Sequence, residues 1–268
     1  MHLKRWITGL SALPFLIFLV YLGGAAFILL VGIACARSLW EYYRIVFNGD
    51  RRMMYNSVTI WGYLIGIGIL VAAYIAGPES VVGLVALNLL LAGVFSVFIY
   101  KTNPAVVEII PKQVLGVVYI PLSLSLLVTI RHEPEGMTWI FFLLAIIFAG
   151  DICAYYVGSH LGRRKLSPAI SPGKTVEGAM GGLAANLLAG AIGKYLFLPA
   201  LAWGPALIFL VIVGIAGQAG DLFESEMKRS SKIKDSGGLL PGHGGFLDRI
   251  DALLFASPVA YMFIVFIF

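Results

Sequence analysis

Charge is scarce in this chain: Asp, Glu, Lys and Arg make up 12% of its 268 residues, about half the roughly 25% of an average soluble domain. That scarcity excludes an ordinary soluble globule. With 60% hydrophobic residues, a core of this size cannot hide its apolar surface, whereas a bilayer accepts it as solvent. Cysteine is almost missing. Cys35 and Cys153 both lie inside apolar runs, so no disulfide framework is implied and both read as packing residues. The net charge is +5, yet the basic residues are scattered between apolar spans instead of forming a stripe, which argues against a nucleic-acid partner. Internal repeats and low-complexity tracts are also missing, so an inverted-repeat transporter gains no support.

Long apolar runs are what the chain has in abundance. A spanning helix needs about 20 apolar residues. Nine runs qualify: Trp6–Leu22, Gly24–Phe47, Val58–Ala76, Val81–Tyr100, Val114–Ile130, Met137–Gly158, Gly178–Leu198, Trp203–Gly220 and Ile250–Phe268. The first two nearly touch at Gly23-Gly24. The start, Met1-His2-Leu3-Lys4-Arg5 before an apolar run, imitates a signal peptide, but the rest of the chain is equally apolar, and this run reads as a retained first span. With the N-terminus in the cytoplasm and the spans alternating, only Arg131 and Lys194 of the 19 Lys and Arg residues fall outside. Merging the first two runs would move Lys4 and Arg5 to the wrong side, so nine spans agree better with the positive-inside rule.

The expected fold is therefore an all-α, polytopic helical membrane protein with about nine transmembrane helices and a cytoplasmic N-terminus. Residues 1–135 form an N-terminal region of about five spans with short loops and little polarity. Residues 136–268 form a catalytic region with two polar cytoplasmic segments, 158–177 and 221–249, of a length that usually marks function.

Ionisable groups near a bilayer are costly and need a partner or a purpose. Asp151 sits in an apolar run one helical turn from Tyr155, which can donate to it, so a buried, bonded Asp is nearly as good a reading as a functional one. Asp221 ends the eighth span. If the helix continues, Asp221, Glu224 or Ser225, and Lys228 line one face. Lys228, Arg229, Lys232 and Lys234 follow, then five glycines between Gly237 and Gly245, whose exposed amides suit anionic oxygens. Asp248 and Asp251 begin the last span on one face, where the helix dipole alone would favour them. Carboxylates alone would read as a cation site and cations alone as a lipid-headgroup patch. Together they read as Mg²⁺ plus phosphates. His243 among the glycines reads equally well as a substrate contact or a hydrogen-bonded turn residue.

The other polar segment points the same way. Ser171 is placed as an N-cap and Pro172 at the first helical position of the seventh span, with Gly173, Lys174 and Thr175 making an anion site at a helix start. It is not a Walker A loop, since Pro168 stands where a glycine is required and no strand is expected before it. Arg163, Arg164 and Lys165 read as interfacial anchors for anionic lipid.

The stretch Ser225-Glu226-Met227-Lys228-Arg229, four residues, Lys234-Asp235-Ser236-Gly237, then Leu240-Pro241-Gly242-His243-Gly244-Gly245-Phe246-Leu247-Asp248-Arg249-Ile250-Asp251 resembles the signature of the phosphatidate cytidylyltransferases, or CDP-diacylglycerol synthases. Ser171–Thr175 and Asp151–Tyr156 also resemble that family's second half, and the likeness covers roughly Asp151 to Asp251. It implies the reaction of CTP with phosphatidic acid, dependent on Mg²⁺ and aided by a monovalent cation such as K⁺. It further implies that Asp221, Asp248 and Asp251 hold metal with Asp151 nearby, in a homodimer of a prokaryotic inner membrane whose active site faces the cytoplasm. Within that reading Lys228, Arg229 and Lys234 clamp phosphate. Ser171, Gly173, Lys174, Thr175, Ser225 and Arg249 hold nucleotide or lipid phosphate, and His243, Gly244 and Gly245 shape the nucleotide site. The chemistry fits: a lipid phosphate is already ionised at neutral pH, so the task is to bring two polyanions together by positioning and electrostatics. A cation or proton relay through the four aspartates explains the acids but not the basic, glycine-rich segment. An intramembrane aspartyl protease built on Asp151 and Asp221 conflicts with the adjacent cations. A CTP-dependent lipid kinase would use similar residues.

Overall fold

A computed structural model of the protein describes residues 14–237 and 244–268. Residues 14–22 are helical (α1) and stop at Gly23. Gly23 and Gly24 both take positive φ, at 63° and 50°, a conformation that opposes residues bearing a Cβ. The expected break between the first two runs is therefore real, and α2 (Gly24–Val46) starts directly after it. Residues 6–13 of the first expected span, with Lys4 and Arg5, lie outside the described residues.

Among the described residues eight helical segments are long and apolar enough to cross a membrane. After α2 a short α3 (Arg51–Met54) leads to α4 (Ser57–Ile75), whose cap Asn56 accepts the Thr59 amide at 3.0 Å. Then come α5 (Pro78–Tyr100), opened by a proline in its first turn, and a composite rod of α6 (Val106–Val117), a π-turn (Val118–Leu122) and α7 (Ser123–His132). Pro121 lies within that π-turn and cannot donate to an α-helical ladder, so the local hydrogen bonding widens. The rod begins at Val106 rather than Val114, because Glu108 and Lys112 in its first turns hide the helix from a reading based on apolar runs. The last four long helices are α8 (Gly136–Leu161), α9 (Val176–Phe197), α10 (Trp203–Ser230) and α11 (Leu247–Phe266). Apolar side chains such as Leu90, Val97 and Phe98 stand exposed along α5, as befits a multi-pass membrane protein whose outer surface meets lipid.

Between α8 and α9 the sequence reading needs correction. Lys165–Ser167 (β1) and Ser171–Thr175 (β2) pair as an antiparallel hairpin, with Lys165 opposite Thr175 and Ser167 opposite Ser171. A strand therefore does precede the seventh span. Ser171 is a strand residue, not the helix cap. That role falls to Thr175, whose Oγ1 accepts the Gly178 amide at 3.0 Å. The eighth span also runs past Gly220 to Ser230, so Asp221 is interior to α10.

The chain forms two compact units. The first comprises the described residues up to Thr129 together with Ser231–Arg249. Its interior is more polar than its apolar spans suggest. Tyr42 and Tyr43 are fully buried, the Tyr42 hydroxyl donates to the Lys112 carbonyl at 2.8 Å, and Gln113 donates to Asn88 at 2.9 Å. The second unit comprises Ile130–Ser230 and Ile250–Phe268. Trp139, Phe142, Phe209 and Phe263 cluster in its core at centroid separations of 4.7–6.3 Å. There α8 and α9 meet through small residues. A Cβ added at Gly178 would stand 2.8 Å from the Ala154 carbonyl, and one at Gly182 would stand 2.9 Å from that of Gly150, which is the close backbone approach small residues permit within membranes.

Candidate active site

In the second unit, α10 is the scaffold. Because the helix continues to Ser230, Asp221, Ser225 and Lys228 share a face as their spacing requires. The Ser225 hydroxyl lies 3.5 Å from Asp221 Oδ1. Lys228 forms an ion pair with Glu224, one turn back, and both are buried, with Glu224 fully so. The hairpin folds against this helix. Lys174 Nζ meets Asp221 Oδ2 at 2.5 Å, and Arg229 Nε donates to the Ile170 carbonyl in the hairpin turn at 3.0 Å.

The base of the hairpin is fixed independently. Glu177 accepts the amides of Arg163 and Arg164 at 2.9 and 3.1 Å, Val176 donates to the Arg164 carbonyl at 2.9 Å, and Thr175 caps α9. Thr175 is buried and its hydroxyl is engaged in that cap, while Ser171 is half-buried and Gly173 exposed with open space around it. Lys174 is thus aimed at α10 by a short two-stranded strut.

Asp251, on the second turn of α11, is buried and accepts the Ala252 amide at 2.8 Å, so it does not cap that helix. It lies within electrostatic reach of Asp221, Asp151 and Lys228. Three of the expected acids therefore gather in one unit with two lysines. In a weakly screened setting such carboxylates repel one another, and Lys174 and Lys228 supply compensating charge. Among the described residues no group of three or more His, Cys, Asp or Glu is arranged to hold a metal ion. The donor set is nonetheless one of carboxylate oxygens, the type that suits a hard divalent cation.

The first unit holds the rest of the signature. Asp248, in the first turn of α11, accepts the Ser236 amide at 3.1 Å and the Gly245 amide at 2.7 Å. Gly244 takes φ +77°, and a Cβ there would stand 2.7 Å from Asp248 Oδ2, so the position requires glycine. Lys234 and Arg249 are exposed. His243 lies outside the described residues.

One residue escaped the sequence reading altogether. Glu41, on α2, is fully buried and accepts from the Ser236 hydroxyl at 2.8 Å, the Phe246 amide at 3.0 Å and the Leu247 amide at 2.8 Å. The signal was present: an acid within an apolar span is a candidate for function by default. It was masked by the neighbouring Arg37 and Arg44, which made the stretch look like an ordinary inner helix end.

Fold and site together define a class: a multi-pass membrane protein that gathers acids and lysines of a kind suited to anionic, phosphate-bearing substrates. The chain belongs to the Cytidylyltransferase family, whose sequence profile matches residues 3–267. It is 32% identical over 265 residues to the phosphatidate cytidylyltransferase of Bacillus subtilis (strain 168), covering 96% of each chain. To the phosphatidate cytidylyltransferase of Brucella suis biovar 1 (strain 1330) it is 35% identical over 268 residues, covering 97% of this chain and 92% of the relative. The enzyme of that name from Synechocystis sp. (strain ATCC 27184 / PCC 6803 / Kazusa) is 47% identical over 136 residues, 50% of this chain and 46% of its own.

Proposed function

We propose that the protein transfers the cytidylyl group of CTP to phosphatidic acid, giving CDP-diacylglycerol and pyrophosphate for phospholipid synthesis. The observation that carries this reading is the gathering of Asp221, Asp251 and Asp151 with Lys174 and Lys228 in a chain that matches cytidylyltransferases along its length. In the reaction an oxygen of the lipid phosphate attacks the α-phosphorus of CTP, the bond from that phosphorus to the bridging oxygen of the β-phosphate breaks, and pyrophosphate departs. No strong base is needed, because the attacking oxygen is already ionised.

Lys174 and Lys228 neutralise phosphate charge along one face of α10, and Arg229 supports the hairpin that carries Lys174. Ser225 and Ser171 offer hydroxyls, and Gly173 an unobstructed backbone, to phosphate oxygens. Mg²⁺ would be held by Asp221 together with phosphate oxygens of the substrates, with Asp251 and Asp151 adding negative charge nearby, and would supply charge neutralisation at the phosphates. Asp248 keeps acceptor capacity for a cation as well, since a carboxylate has about four lone-pair sites. A monovalent cation such as K⁺ belongs to the same proposal, as do a homodimeric assembly and an inner-membrane location with the site facing the cytoplasm.

The test gives purified protein CTP labelled in the α-phosphate, together with phosphatidate in mixed micelles. Mg²⁺-dependent label in the lipid is expected, abolished by EDTA and restored by Mg²⁺. Transfer of γ-label alone would replace the proposal with a kinase, and no transfer of either label would remove it.

A further inference from the structure

We propose that Glu41 is a positioning residue of the active site: its carboxylate, contributed by α2, ties Ser236 to the first turn of α11 and thereby orients Asp248, Lys234 and Arg249. The inference rests on the cytidylyl-transfer reading for what is being positioned, while the tie itself stands on geometry alone.

Three donors from two separate stretches of the signature converge on this one side chain. Oε2 receives the Ser236 hydroxyl and the Leu247 amide, both at 2.8 Å, and Oε1 receives the Phe246 amide at 3.0 Å. The backbone is shaped to admit it. A Cβ at Gly237 would collide with Oε1, and a Cβ at Gly245 would collide with both Oε2 and the Ser236 hydroxyl. Asp248 closes the network from the other side by accepting the Ser236 and Gly245 amides. Ser236 is thus held twice, by its hydroxyl to Glu41 and by its amide to Asp248. A second anchor lies beside the first, where the Ser231 hydroxyl donates to the Ile45 carbonyl near the end of α2 at 2.6 Å.

A buried carboxylate is costly unless its oxygens are satisfied, and three donors satisfy this one. A purely structural acid could do the same at any helix start. What separates the two roles is where the damage falls when the acid is removed. A positioning residue, once neutralised, loosens the signature locally and lowers turnover per folded molecule; a structural one lowers the folded fraction and leaves each folded molecule competent.

The experiment compares the full-length protein with Glu41→Gln and Glu41→Leu in three measurements: cytidylyl transfer kinetics, thermal unfolding, and amide hydrogen exchange of the substrate-free protein. Glutamine keeps one carbonyl oxygen for the Ser236 and Leu247 donors but opposes the Phe246 amide with its own NH₂ group; leucine strands all three donors. The expected result is a kcat reduced by about 30-fold or more in Glu41→Gln and further in Glu41→Leu. It should be accompanied by faster exchange in the 244–250 segment and unchanged exchange in α8 and α9. Near-normal kcat with unchanged exchange would overturn the proposal. Uniformly faster exchange with normal turnover per folded molecule would overturn it too, in favour of a structural role. Ser236→Ala, which removes a single donor, carries the same readouts if the Glu41 variants do not fold. If the wild type transfers no cytidylyl group, the reaction assignment fails, and exchange at 244–250 still decides whether Glu41 ties the signature.

Discussion

At the scale of single residues, the arrangement that most constrains the chemistry is Lys174 against Asp221 at 2.5 Å. Asp221→Asn retains the size and part of the hydrogen bonding but removes the charge that complements Lys174 and a divalent cation. Loss of such an electrostatic contributor is expected to lower kcat by about 100- to 1,000-fold, with the unfolding temperature little changed. Labelled-CTP turnover and thermal unfolding on the same preparation check this, and near-wild-type turnover would remove Asp221 from the site. The Glu224–Lys228 pair makes a different prediction because both members are buried. Glu224→Leu removes the ion-pair partner of a buried ammonium and is expected to destabilise the fold by about 3–5 kcal/mol. Glu224→Leu with Lys228→Leu should recover much of that loss while remaining inactive. A double variant as unstable as the single one would show that Lys228 does not need its partner.

At the scale of elements, α8 and α9 owe their separation to the glycines between them. Gly178 and Gly182 face Ala154, Gly158 and the Gly150 carbonyl with no room for a side chain, and Asp151 rides on the same stretch of α8. Gly182→Val forces the helices apart, an overpacking of a kind that usually costs about 1–3 kcal/mol. It should lower the unfolding temperature and, by displacing Asp151, reduce turnover beyond the loss of folded protein. A gentler change tests the hairpin. Thr175→Ala removes the cap of α9, which is expected to cost about 1 kcal/mol. Because Thr175 adjoins Lys174, the variant should raise the KM for CTP more than it lowers kcat. A variant with unaltered KM would separate the cap from the orientation of Lys174.

At the scale of the whole molecule, the distribution of Lys and Arg predicts orientation. In a chain carrying Cys35→Ser and Cys153→Ser, Ala169→Cys in the hairpin turn should react with a membrane-impermeant thiol reagent only after cells are permeabilised. Glu135→Cys, just before α8, should react in intact cells. The reverse pattern would invert the proposed topology and put the site on the wrong side for CTP.

Much of this was legible in the residues themselves. The apolar runs and the Gly23-Gly24 break are local properties: hydrocarbon thickness sets the length of a span, and left-handed backbone selects glycine. Asp221, Ser225 and Lys228 could be placed on one face because a continuing helix has only one period. The hairpin was not legible, since Ser171-Pro172 satisfies the local rules for a helix start and only its pairing with Lys165–Ser167 makes it a strand. The rod from Val106 was obscured by two charged residues that packing tolerates and hydropathy does not. Glu41 was beyond the sequence for a deeper reason. Its partners Ser236, Phe246 and Leu247 lie some two hundred positions further on, and no periodicity links an acid in the second span to a signature near the end of the chain. By itself the sequence determined that this protein spans a membrane and carries phosphate chemistry, because solvent matching and residue type are short-range facts. Which side chains meet was decided only in the tertiary structure, because hydrogen bonds across that distance in the chain exist only once the helices have packed.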